Sequence, residues 1–183
     1  MRLLAFAGSL RSGSYNRKLL HVGIGVLAGK AVVDHLDLRD VPLPLYDGDL
    51  EEKEGLPEGA VRLRQRIAGA AGLLIATPEY NHSIPGTLKN AIDWASRGPD
   101  QPFRGKVVLL MGASPGPWGA VRGVIAARQA LTALLAMVLP QTVQVARAGE
   151  AFDPSGALVD PKLHAQVEKA CAELVRVATA LRG

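Results

Sequence analysis

Apolar and polar positions fall into two kinds of block along the chain, and the blocks alternate. Short continuous apolar runs at Leu3–Ala7, Gly72–Thr77 and Lys106–Gly112 predict buried strands, and Ala31–Leu38 and Val138–Ala146 predict two more. Helical periods lie between them. Asn16–Leu27 sets Leu19, Leu20, Ile24 and Leu27 on one face and stops at Gly29, while Glu58–Ala70 turns Val61 and Ile67 inward. Pro85 opens a helix running to about Ser96, at the first-turn position that proline tolerates. Ala120–Ala136 predicts another helix, and Pro161 starts a terminal one with Leu163, Val167, Leu174 and Val177 inward. Val41–Pro57, rich in proline and acidic residues, is expected to be a loop. Neither an internal repeat nor a second domain is visible, so residues 1–183 are expected to form one domain.

Strands alternating with helices predict an α/β fold, a parallel sheet covered on both faces. In such sheets ligands bind beyond the carboxyl ends of the strands. Three unusual loops follow strands one, three and four and are therefore expected to converge there. The first, Gly8–Asn16, offers three serine hydroxyls, an Asn amide, the Arg11 guanidinium and the free N–H groups of a helix start. That set suits an anion, and Arg11 can grip a phosphate with two parallel hydrogen bonds. Neither G-x-x-x-x-G-K-[ST] nor G-x-G-x-x-G occurs here. The second loop, Thr77–Gly86, is stiffened by Pro78 and Pro85 and displays Glu79, Tyr80 and Asn81, which could meet the polar edge of a planar heterocycle. His82 lacks a visible orienting partner and reads as a solvated loop residue. In the third, Gly112–Arg122, glycines permit close backbone approach, and Trp118 is either a flat apolar wall or a subunit contact.

Composition narrows the classes. At 48% hydrophobic and 21% charged residues the chain is ordinary globular material. Its net charge of +4 is dispersed, and the densest stretch, Arg62, Arg64 and Arg66, reads as the solvated side of a helix. Nucleic acid is thus not an expected partner. Cys171 stands alone within an apolar helical pattern and reads as a small core residue; no metal-ligand spacing occurs. The apolar start Met1–Gly8 is too short for a signal peptide, and no run approaches the ~20 apolar residues of a membrane span. A cytoplasmic protein without a membrane partner is expected.

Gly8–Asn16, the run T-P-E-Y-N-H-S-I-P-G-T-L-K-N-A-I-D-W at Thr77–Trp94, and Ser114–Arg122 together resemble the NADPH-dependent FMN reductases, with their quinone and chromate reductase and azoreductase relatives. The likeness extends from Leu3 to about Leu181 and includes P-L-P-L-Y-D at Pro42–Asp47. It implies a flavodoxin-like three-layer sandwich, strand order 2-1-3-4-5, and non-covalent FMN with NADPH or NADH as co-substrate. Ser9, Arg11, Ser14 and Asn16 would hold the FMN phosphate with Tyr15 beside them. Pro78, Glu79, Tyr80 and Asn81 would line the ring edge, and Ser114 with Gly116 would face the opposite end. The implied reaction carries hydride from NAD(P)H through FMN to a quinone-like, azo or metal-oxyanion acceptor, in ping-pong order and without a catalytic side chain. Homodimers or homotetramers are usual in the family, commonly through the helix bearing Asn90, Asp93 and Trp94; Trp94 could equally sit in its own core. The chain has Gly119-Ala120 where the family often has Gly-Gly, and it adds Pro115 and Pro117. Two other readings use the same fold: a non-enzymatic electron carrier, which is usually strongly acidic, and a flavin-dependent regulatory protein. A hydrolase is disfavoured by the lack of G-x-S-x-G.

Overall fold

The three uninterrupted apolar runs take the three inner positions of one parallel sheet. In the computed structural model, which describes residues 1–181, the strands are β1 (Arg2–Ala7), β2 (Val32–Leu36), β3 (Gly72–Ala76), β4 (Val107–Ala113) and β5 (Met137–Val145). They pair in the order β2-β1-β3-β4-β5, all parallel. Every residue of β3 and β4 is buried, because helices cover both faces; the edge strands β2 and β5 are buried only in part. Edge placement also accommodates Pro140. The β4–β5 ladder shifts register between Val108, opposite Val138, and Leu110, opposite Thr142, and Pro140 lies in that irregular stretch.

The helices are α1 (Tyr15–Leu27), α2 (Gly48–Glu54), α3 (Glu58–Ala68), α4 (Gly86–Ala95), α5 (Val121–Ala133), α6 (Ala148–Ala151) and α7 (Pro161–Ala180). One core, with Leu19 and Leu20 of α1 and Val167, Cys171 and Leu174 of α7, lies on one face of the sheet. The other core, with Leu63 and Ile67 of α3, Leu88 and Ile92 of α4 and Val124 of α5, lies on the opposite face. The result is the flavodoxin-like three-layer sandwich expected from the sequence. Cys171 is a buried core residue whose thiol is pushed up to about 12 by burial. Arg182 and Gly183, the end of the expected 1–183 domain, lie outside the described residues.

Val41–Pro57 departs from its expected loop, since it contains α2. Asp47 caps that helix by accepting from the Asp49 N–H at 2.9 Å, and Asp49 and Glu51 favour its first turn. It buries no residue, so no apolar period marks it. The segment before it is strapped to α4. Asn90 Oδ1 accepts from Tyr46 N–H, while Asn90 Nδ2 and Trp94 Nε1 both donate to the Pro44 carbonyl, each at 2.8 Å. Trp94 is fully buried and meets the Tyr46 ring edge-on at 5.1 Å, so it belongs to the protein's own core. Helix α5 ends sooner than expected, where Leu135 (φ 65°) turns the chain towards β5.

The three arginines of α3 are not a solvated basic face. Arg62 pairs with Glu58 and donates to the Asp40 carbonyl at 3.1 Å. Arg64 donates to the carbonyls of Ala95 and Asp100, each at 2.8 Å, and also to that of Arg97. Arg66 pairs with Asp34, and its hydrogen bonds hold that carboxyl below the usual range. All three tie elements together.

Gly59 sets the approach of α3 to the strap, because a Cβ there would lie 2.3 Å from the Pro42 carbonyl oxygen. Alanine would otherwise favour the helix by about 1 kcal/mol, but the obstacle is backbone. Gly59→Ala is expected to lose about 1–3 kcal/mol of stability, read as a lower midpoint in urea unfolding.

Candidate functional site

At the carboxyl ends of β1, β3 and β4 the three singled-out loops border one cleft. It is lined by Ser9, Arg11, Gly13, Ser14, Tyr15, Asn16, Pro78, Glu79, Tyr80, Ala113, Ser114 and Pro115. Nine of the eleven residues chosen from sequence are among them. Asn81 and Gly116 lie outside the lining, and Gly13, Ala113 and Pro115 join it.

The first loop gathers hydrogen-bond donors. Ser14 caps α1, its Oγ accepting from the Asn16 N–H at 3.2 Å, and Ser9 Oγ lies 3.4 Å from the Arg11 N–H. Both serines are buried. Among the described residues, the Arg11 guanidinium and the backbone N–H groups of Ser12, Gly13 and Tyr15 have no partner within the chain. The Tyr15 N–H is a donor that a helix start leaves over; Ser12 and Gly13 add theirs from the loop before the Ser14 cap. Behind Ser9, Arg17 Nη2 pairs with Asp37 at 3.0 Å, and Arg17 Nη1 is buried without a hydrogen-bond partner. Asp37 is held at about 2, chiefly by its hydrogen bonds from Arg39. Tyr15 stacks on Phe152 at 6.2 Å, with Lys18 Nζ 5.9 Å from each ring. Arg17, Lys18 and Phe152 lie outside the motif read from sequence; the cations of the first helical turn were the available signal.

Two of the chosen side chains serve the loops themselves. Asn16 is 3% exposed, and its amide bonds both backbone groups of Ala113: Nδ2 donates to the carbonyl at 2.9 Å and Oδ1 accepts from the N–H at 2.8 Å. Its amide is therefore occupied by the end of β4. The Glu79 carboxylate reaches the third loop, accepting from Arg122 N–H at 2.9 Å, Gly123 N–H at 3.4 Å and Arg122 Nη1 at 3.2 Å. It supplies the cap that α5 lacks locally, since Ala120 at the cap position offers no side-chain acceptor.

Turn geometry explains why Asn81 stands apart. Tyr80 and Ser83 exchange backbone hydrogen bonds of 2.9 and 3.0 Å, with Asn81 (φ 49°) and His82 (φ 64°) at the tip. Two positive φ angles in a two-residue tip are those of the tight hairpin turn, where asparagine is well tolerated. Asn81 and His82 are both exposed there. In the third loop, Ser114 Oγ accepts from Ala120 N–H at 3.1 Å, leaving its proton free to donate. Gly116 uses its carbonyl for Arg147 N–H at 3.0 Å. Gly119 (φ 57°) has no room for a Cβ, which would lie 2.9 Å from the Gln144 backbone. Among the described residues no group of His, Cys, Asp and Glu could hold a metal ion, and no helix is long and apolar enough to cross a membrane.

Burial raises the Glu79 carboxyl, but the hydrogen bonds from Arg122 and Gly123 outweigh it, so the group lies below its ordinary 4.5. A carboxyl depressed in the folded state contributes stability above its unfolded value and loses it as pH falls through the folded value. Glu79→Gln is expected to cost about 1–2 kcal/mol at pH 7. The gap from wild type should close as pH drops below about 4.5, as read by urea unfolding at pH 7 and pH 3.5.

Comparison with known proteins agrees with this geometry. Residues 1–150 match the family described as NADPH-dependent FMN reductase. An NAD(P)H-dependent FMN reductase of Pseudomonas aeruginosa is 40% identical, over 100% of this chain and 98% of its own length. A quinone reductase of Escherichia coli is 42% identical over 76% of this chain and 73% of its own. Among solved structures, FerB, a flavoenzyme NAD(P)H:(acceptor) oxidoreductase from Paracoccus denitrificans, superposes with a TM-score of 0.83 at 30% identity, covering 98% of this chain and 97% of that one. Family match and fold together establish that this chain belongs to the NADPH-dependent FMN reductases, flavoenzymes that use FMN and NAD(P)H.

Proposed function

We propose that the chain is a cytoplasmic NAD(P)H-dependent oxidoreductase that passes reducing equivalents through FMN in this cleft to a quinone-like acceptor. The observation that carries the reading is the opening of α1: an unpartnered guanidinium, backbone N–H groups without acceptors and two buried serine hydroxyls. A phosphate monoester fits that donor set, being an anion of three acceptor oxygens.

In this reading Ser9, Arg11, Ser14 and the N–H groups of Ser12, Gly13 and Tyr15 hold the phosphate. Asn16 frames it by fixing α1 to β4, and the Tyr15 ring closes one side. Pro78, Glu79, Tyr80 and Asn81 give the ring edge a stiff border through their backbone, with the Glu79 carboxylate spent on the third loop. Ser114 donates from the opposite side and Gly116 keeps its loop in place. When bound, FMN supplies the redox chemistry between NAD(P)H and acceptor. The protein's share is to orient the two substrates in turn in one open cleft, which supports a ping-pong order. Planar quinone or azo compounds suit a cleft bordered by Tyr80 and Pro115, and a metal oxyanion would be drawn by the net charge of +4. Leu10 and Tyr80, 41% and 45% exposed on the cleft loops, support a homodimer or homotetramer.

The purified protein is expected to be yellow and to release FMN on denaturation; colourless protein that refuses added FMN would overturn the reading. Arg11→Ala should weaken FMN binding about tenfold to a hundredfold, the range of a lost charge-assisted hydrogen bond. Its binding of riboflavin, which lacks the phosphate, should change little; flavin fluorescence titration reads both. Steady-state rates at several NADPH and quinone levels should give parallel double-reciprocal lines, and intersecting lines would sink the shared cleft.

A further inference from the structure

We infer that Trp118 and Arg122 form a rim platform that stacks the adenine end of NAD(P)H, outside the cleft that receives its nicotinamide. Trp118 is 62% exposed, a large apolar surface to leave in water. The exposure is built rather than loose. The loop carries Pro115 and Pro117, and its ends are pinned by Ser114 N–H on the Val145 carbonyl (3.1 Å) and Ala120 N–H on Ser114 Oγ (3.1 Å). Val121 N–H bonds the Trp118 carbonyl itself at 3.1 Å, and Gly119 is wedged against the Gln144 backbone. A side chain fixed outward by that many restraints is displayed.

What surrounds the indole defines its ligand. The Arg122 guanidinium lies 5.6 Å from the ring centroid and is steered there by its pair with Glu79 at 3.2 Å. An indole backed by a cation suits a planar heteroaromatic ring that carries anionic groups. Arg147 stands at the foot of the same loop, exposed, its guanidinium without a partner among the described residues. Its backbone is tied to Gly116 of that loop, so it adds positive charge to the loop that carries the indole, which suits a pyrophosphate.

Position separates the dinucleotide from the acceptor. Trp118 and Arg122 are not in the cleft lining, but their neighbours Pro115 and Glu79 are. A ligand that occupies the cleft and also covers the indole must be longer than a single quinone ring. A nicotinamide dinucleotide has that length and ends in adenine.

The inference rests on NAD(P)H being the donor, so its test separates the two. The FMN-loaded enzyme is assayed with NADH and with reduced nicotinamide mononucleotide, which lacks the adenylate, at fixed quinone. Trp118→Ala should lower the ratio of kcat/KM for NADH to that for the mononucleotide about tenfold, within the range of one base–aromatic stack. The loss should appear in KM, and Trp118→Phe should restore most of the ratio. Calorimetric titration with ADP, which needs no turnover, should show binding to wild type weakened about tenfold or more in Trp118→Ala. An unmoved ratio, or equal ADP binding by the two proteins, overturns the platform. So does a smaller sedimentation coefficient for Trp118→Ala with both donors impaired alike, which makes the indole a subunit contact. If wild type oxidises neither donor, the donor reading fails and the ADP titration alone decides the platform.

Discussion

The two hydrogen bonds between the Asn16 amide and the backbone of Ala113 hold the site together. They join the first turn of α1 to the last residue of β4, 97 positions along the chain, and they do so inside the core. A carboxylate or a hydroxyl could not replace them, because only a carboxamide presents a donor and an acceptor in that spacing. Leaving both Ala113 groups buried without partners would cost about 1–3 kcal/mol each. With this clasp closed, the first turn of α1 is fixed against the end of β4, and the direction of its N–H groups with it. Two further ties complete the frame: Thr87 Oγ1 donates to the Gly8 carbonyl at 2.6 Å, and Glu79 spans from the second loop to α5.

The cations around the cleft divide by what holds them. Arg17 and Arg39 pair with Asp37 beneath Ser9, and Arg122 pairs with Glu79, so carboxylates fix where these charges sit. Among the described residues, the guanidiniums of Arg11, in the cleft lining, and of Arg147, at the foot of the third loop, have no partner. The positive charge around the cleft thus divides into cations held by carboxylates and others whose donors are not taken up by the protein. The α3 arginines are held by carboxylates and backbone carbonyls.

Fold and site loops were readable because they rest on local rules. Continuous apolar runs mark inner strands, and polar loops at the strand ends mark the ligand edge of such a sheet. What escaped has physical reasons. Helix α2 buries nothing, so its only sequence signal is the Asp47 cap and an acidic first turn. The end of α5 is hidden because Leu131 to Val138 stays apolar through the turn at Leu135. The tight turn at Asn81 and His82 carries no glycine, so it lacks the usual sequence mark of two successive positive φ angles. Asn16 and Glu79 border the cleft, but their side chains bond Ala113 and the start of α5. Sequence reports which side chains are polar, but not which backbone will claim them after folding.

Gly119 and Ala120 follow one another in the left-handed region, at φ 57° and 63°. The first cannot bear a side chain, and the second tucks its methyl against Gly112. Together they form a fixed hinge post, as Ser114 does at the other side through its bonds to Val145 and Ala148. Between the posts lie only Pro115, Gly116, Pro117 and Trp118. None of these four belongs to a strand or to the Asn16 clasp; Gly116 ties the span to the Arg147 N–H, and Pro115 borders the cleft. The fold therefore sets the shape of this rim from its two ends, so that a change in the four residues between them alters the border of the cleft before it alters anything beneath.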